Sequence, residues 1–185
     1  MPTIDAHRYT APAIALHWLM ALLLVGLFAV GLYMHELPLS PWKLKIYSWH
    51  KWAGVTAVLL VLARLAWRHA HRPPALPAAM PPPLRFAAHA GHAVLYVLMI
   101  AIPLSGWLMS SAKGFQTVWF GVLPLPDLVA KNEELGHFFE ETHEALVGLL
   151  LFLLAAHVAA TLKHHFVDRD DIAARMLPWL AKERK

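Results

Sequence analysis

Residues 143–165 read HEALVGLLLFLLAAHVAATLKHH, and the fold turns on how they are read. Between Glu144 and Lys163 lie 18 residues without a formal charge, mostly Leu, Ala and Val. A helix rises about 1.5 Å per residue, so this run matches the roughly 30 Å hydrocarbon core of a bilayer once its flanks are counted. Histidines punctuate it all the same. His143 opens the run, His157 sits inside it, and His164 and His165 close it.

The rest of the chain has the same character. Of 185 residues, 58% are hydrophobic and 15% charged, against about 25% charged in ordinary soluble domains. Three further stretches are long and apolar enough to cross: about 12–33, 47–67 and 86–110. The second is the least apolar, with Lys51 and Arg64 near its ends, where long cationic side chains reach the headgroups. With the fourth span at about 143–165, the expected fold is an all-α bundle of four transmembrane helices forming one domain over residues 1–185. The Pro-rich stretch 69–85 links spans two and three. Between spans three and four, Asp127 follows two prolines and predicts the N-cap of a short surface helix over about 127–142. The N-terminal stretch, with Asp5 and Arg8, reads as a retained tail rather than a signal peptide.

Orientation follows from the bias of Lys and Arg toward the cytoplasm. With four spans both termini share a side. That side carries Arg8, Arg64, Arg68, Arg72, Arg85, Lys163, Arg169, Arg175, Lys182, Arg184 and Lys185, eleven in all, against Lys43, Lys45, Lys51, Lys113 and Lys131, five, on the other. Both termini are therefore expected in the cytoplasm. Trp42, Trp49, Trp107 and Trp119 fall at the outer interface and Trp67 at the inner one. The net charge of +4 then reflects anchoring at the lipid surface rather than nucleic-acid binding.

There are no cysteines but 13 histidines. The lack of thiols excludes disulfides, iron–sulfur clusters and covalently attached c-type haem. His143 and His157 are 14 residues apart, which puts them about 21 Å apart on one face of a helix. His164 continues that face two turns on. In depth, His17, His92 and His157 form an inner layer, and His50 and His143 an outer one. Imidazole in hydrocarbon is costly unless it is paired or liganded. Two imidazoles from facing helices can take both axial positions of a haem iron, so two such layers would carry electrons across the membrane. A lone membrane histidine is ordinarily a packing or anchoring residue; five at two matched depths fit that explanation poorly. A histidine-based proton or metal transporter is the competing class, but no Asp or Glu lies deep in any span, and zinc wants three or four ligands together. From the residues alone, the inner layer offers three candidates for two axial places.

Four motifs together resemble the bacterial cytochrome b561 family, the small four-helix, di-haem, inner-membrane type. They are ALHWL (15–19), SWHKWAG (48–54), HAGH (89–92) and THEALVGLLLFLLAAHVAATLKHH (142–165), and the likeness runs from about Tyr9 to Pro178. The resemblance implies two haem b groups, with His17 and His157 as axial iron ligands of the inner one and His50 and His143 of the outer one. It implies that His92 and His164 line a site for ubiquinone. The activity it implies is electron transfer between the quinone pool and a partner at the outer face. That partner is either superoxide, released as dioxygen, or a separate periplasmic redox protein docking on the acidic segment 127–144. Lys43, Lys45 and Lys51 surround the approach to His50 and would attract an anion. Arg64, Arg68 and Arg72 near the inner layer suit haem propionates or lipid phosphate. Gly54, Gly91 and Gly148 suit close approach of a porphyrin or of another helix.

Overall fold

The computed structural model describes residues 8–77 and 80–180. The N-terminal tail with Asp5, and Lys182, Arg184 and Lys185 of the charge count, lie outside the described residues. Four long helices dominate: α1 (Ala11–Glu36), α2 (Pro41–Ala70), α3 (Pro82–Ala112) and α4 (Glu133–Lys163). Each is long and apolar enough to cross a membrane.

All four outrun the apolar stretches because their ends are set by capping groups. Pro12, Pro41 and Pro82 stand in the first turns of α1, α2 and α3, where the missing N–H has no partner to lose. Ser40 Oγ accepts the Lys43 N–H at 3.2 Å. Asn132 Oδ1 accepts the Leu135 N–H at 3.0 Å, and Glu133 and Glu134 occupy the positive end of α4.

The surface helix expected over 127–142 does not form as a separate element. Asp127 is not a cap; its segment is tied to the end of α3 instead. Leu128 N–H reaches Ser111 Oγ at 3.2 Å and Asn132 N–H reaches the Ala112 carbonyl at 2.9 Å. With those backbone groups engaged, the helix starts only at Glu133 and runs unbroken into the fourth span. Before it comes a small antiparallel hairpin, β1 (Val118–Trp119) with β2 (Leu123–Pro124), absent from the sequence expectation. Trp52 Nε1 donates to the Val118 carbonyl at 2.6 Å and Trp119 Nε1 to the Trp52 carbonyl at 3.3 Å, so the hairpin is pinned on α2.

The helices pack in chain order, α1 on α2, α2 on α3, α3 on α4, and neither α1 nor α2 packs closely along α4. The buried core is correspondingly small; among the described residues it comprises Met20, Ile46, Ala57, Val61, Met80, Leu98, Ala112, Leu150 and Ala173. Leu22, Val25, Val97 and Phe152 are largely exposed, as lipid-facing side chains are. At the terminal end, α4 widens into a π-helical turn (His164–Asp168), followed by a short α5 (Ile172–Met176). Trp18 Nε1 donates to the Met176 carbonyl at 2.9 Å, and Arg175 Nη1 to the Ala75 carbonyl at 2.6 Å. The C-terminal segment is thus clamped to α1 and to the α2–α3 linker.

Candidate functional site

The gap between α4 and the α1–α2 pair is spanned by imidazoles. His17 of α1 faces His157 of α4 with ring centres 6.4 Å apart. His50 of α2 faces His143 of α4 at 6.5 Å. Two imidazoles bound on opposite sides of one metal ion, each about 2 Å from it through a ring nitrogen, have centres about 6 Å apart. The two pairs share one spacing, and each draws one member from α4. The structure thus brings together all four histidines singled out as axial ligands, in the pairing that the resemblance implied.

The outer pair is the more completely built. His143 Nδ1 lies 3.0 Å from the Ile102 carbonyl oxygen and 3.1 Å from Ser105 Oγ. A carbonyl only accepts, so Nδ1 carries the proton and Nε2 keeps its lone pair. Metal-binding imidazoles are commonly fixed this way. Ser105 Oγ donates to the same carbonyl at 2.7 Å, and Pro103 lies inside α3 beside it. Gly106 makes the room: a Cβ there would sit 3.2 Å from His143 Cε1. Across the gap, His50 Nδ1 is buried without a hydrogen-bond partner. An imidazole left so is costly unless the ring binds something. Gly54 and Gly91 are half-buried with nothing within 4 Å of where a Cβ would be. The imidazole pairs, the orphaned nitrogen and this open space fit a flat iron-bearing group.

The inner layer holds three rings. His92 of α3 lies 5.5 Å from His157, closer than either facing pair. It is a flank to His157, while the His17–His157 separation repeats that of the outer pair. His92 and His164 belong to different surroundings: His164 Nδ1 bonds Asp170 Oδ2 at 2.7 Å and Asp168 Oδ2 at 3.2 Å. Those aspartates were not singled out in the sequence, although their spacing of four and six residues from His164 was visible there. Arg64, also at this level, donates from Nε to Tyr96 Oη at 2.9 Å, and its charge acts on His17, His92 and His157. A small cavity lies between Arg64, Arg68, His71 and Tyr96.

The three lysines at the outer approach have structural partners. Lys43 Nζ donates to the Leu37 carbonyl at 2.6 Å, at the end of α1. Lys45 lies over the rings of Trp42 and Trp49. Lys51 Nζ bonds Ser110 Oγ at 3.2 Å and the Phe115 and Gln116 carbonyls at 3.3 Å. Lys43 and Lys45 meet no carboxylate among these partners, whereas the Asp127 carboxylate acts on Lys51.

Such a bundle, with facing histidine pairs across an interhelical gap, defines a class: helical membrane proteins with bis-imidazole sites. Comparison with known proteins gives the family. The family described as prokaryotic cytochrome b561 matches residues 8–179. Cytochrome b561 homolog 2 of Escherichia coli (strain K12) is 36% identical over 176 residues, covering 95% of this chain and 94% of that one. Cytochrome b561 homolog 1 of the same organism is 30% identical over 178 residues, covering 93% and 98%. A probable superoxide oxidase CybB of Yersinia pestis is 28% identical over 173 residues, covering 92% and 96%. The chain belongs to the prokaryotic cytochrome b561 family: a membrane protein of transmembrane electron transfer, for which the family implies b-type haem.

Proposed function

We propose that this chain carries electrons from superoxide at the periplasmic face to ubiquinone at the cytoplasmic face through two b-type haems. His50 and His143 would hold the outer iron, and His17 and His157 the inner one. The observation that carries the reading is the repeated spacing of these two pairs, 6.5 and 6.4 Å, each bridging the gap between α4 and its neighbours. Each haem, when bound, takes up and gives back one electron at a time.

The chain's own residues do the rest. Ile102 and Ser105 hold His143 in one tautomer. Arg64 supplies positive charge to the inner layer. Lys43 and Lys45 keep positive charge at the outer approach, with Lys51 beside them near Asp127, which favours an anionic reductant. The same substrate is suggested by the name of the Yersinia pestis relative. Two superoxide anions, one ubiquinone and two protons give two dioxygen molecules and one ubiquinol, so charge and atoms balance. The Lys/Arg bias supports cytoplasmic termini, which puts His164 on the quinone side.

A second reading is an electron carrier for a separate periplasmic redox protein. Exposed Glu133, Glu134, Glu141 and Glu144 on the outer stub of α4 favour it. Turnover of superoxide and ubiquinone by the purified protein alone separates the two. The expected preparation is red, yields two haems per chain on extraction, and reduces ubiquinone at the expense of superoxide without a partner. A haem-loaded protein inert toward superoxide, yet reduced by a periplasmic protein, would transfer the assignment to the second reading. A colourless preparation from haem-replete cells would end both.

A further inference from the structure

The fourth helix does not simply stop at the membrane surface. After Lys163 it widens into the π-helical turn His164–Asp168, closed by Arg169 at φ 53° with its N–H on the His164 carbonyl. The Asp170 N–H reaches the same carbonyl at 3.2 Å. π turns are rare and concentrate at functional sites, and a non-glycine residue at positive φ persists only where its surroundings enforce it.

The enforcing contacts centre on Asp170. Its Oδ2 accepts from His164 Nδ1 at 2.7 Å, and its Oδ1 accepts the Ile172 N–H at 3.0 Å, opening α5. Asp168 also approaches Nδ1, at 3.2 Å, but Lys163 Nζ lies 2.7 and 2.6 Å from its two oxygens. Lys163 therefore neutralises Asp168, and Asp170 is the carboxylate matched to the imidazole. Other charged or titratable groups near the turn among the described residues include His165, Arg169 and, from α5, Arg175, which pairs with Asp171 at 3.1 Å. His164 and Asp170 side chains are 20% and 25% exposed, so water reaches them.

We propose that Asp170 is the positioning residue of His164 and that the two form a proton-delivery dyad for quinone reduction. This rests on the quinone reading above and deepens it. The carboxylate accepts Nδ1–H, which fixes the tautomer and leaves Nε2 for a quinone carbonyl oxygen. Reduction of a quinone to a quinol takes two electrons, from the haem side, and two protons. One proton passes from Nε2 of the imidazolium to a carbonyl oxygen. Cytoplasmic water supplies the second and reprotonates the ring, while Asp170 keeps its hydrogen bond to Nδ1.

The test compares His164→Ala, Asp170→Asn, Asp170→Glu and Asp171→Asn in the haem-loaded protein with ubiquinone. Asp170→Asn is expected to lower kcat for quinone reduction about 10-fold or more, and His164→Ala about 100-fold, with unchanged haem spectra. Asp170→Glu restores part of the rate. Asp171→Asn, which loosens the α5 ion pair with Arg175, leaves the rate in place. Independently of turnover, ¹⁵N-histidine NMR should show His164 protonated at Nδ1, identified by its loss in His164→Ala. Failure of the haem-loaded parent protein to reduce ubiquinone would overturn the quinone reading itself, whereas full quinone reduction by His164→Ala would overturn the dyad alone. A slow His164→Ala beside an Asp170→Asn with wild-type rate, or a neutral His164 ring carrying its proton on Nε2 with Nδ1 bare, would overturn the dyad and leave the quinone reading standing.

Discussion

His143 Nδ1 lies 3.0 Å from the carbonyl oxygen of Ile102, so a backbone group of α3 orients the imidazole that α4 presents to His50 on α2. Three helices thus meet at one ring, and Gly106 is the residue that lets them. A Cβ at 106 would fall 3.2 and 3.3 Å from His143 Cε1 and Nδ1. Gly106→Val is therefore expected to retain the inner haem and lose most of the outer one. Haem extraction and the reduced-minus-oxidised spectrum read this directly; full occupancy of both would show that the ring has more freedom than its contacts imply.

His92 stands nearer to His157 than His17 does, so the choice of inner ligand has to be made by experiment. Alanine at His17 or His157 is expected to remove the inner haem and spare the outer one, and alanine at His50 or His143 the reverse. His92→Ala is expected to keep both. Loss of the inner haem in His92→Ala, with retention in His17→Ala, would exchange their roles.

Arg64 acts as a fixed positive charge beside the inner layer, held by Tyr96. Positive charge favours the electron-richer state of a nearby redox group. Arg64→Gln should lower the midpoint potential of the inner haem by about 60 mV, the equivalent of a tenfold change in a one-electron equilibrium. Tyr96→Phe should move it the same way by less. A spectroelectrochemical titration measures both, with the outer haem as internal control; an unmoved inner potential would place Arg64 with lipid instead.

Lys43 and Lys51 hold backbone carbonyls, whereas Lys45 rests over two tryptophan rings. Lys45→Gln is thus the cleanest probe of electrostatic attraction. At low ionic strength it should slow superoxide consumption about twofold, with the deficit vanishing as salt screens the approach. Neutralising all three lysines should flatten the salt dependence. A salt response identical to the parent would remove attraction from the account.

The four spans were legible because a bilayer demands about 20 apolar residues in a row, and composition alone reports that. Helix ends were less legible. Asn132, which caps α4, and the Pro-led starts of α2 and α3 lie in polar or mixed sequence outside the apolar runs. Asp127 carried a plausible local signal, but the end of α3 claimed the backbone that a helix there would have needed. The hairpin at Val118–Pro124 escaped for a related reason: its pinning by Trp52 is a contact 66 residues away in sequence.

Alone, the sequence determined the number of spans, the side bias of charge, and the common face of His143, His157 and His164, because all three depend only on helical rise, helical period and the solvent. Tertiary structure decided which imidazole meets which. It set His17 and His50 opposite α4, put His92 against the flank of His157, and turned His164 toward Asp170. Those choices depend on the width of the gaps between helices and on where a chain end folds back, and both are fixed by contacts between residues far apart in the chain.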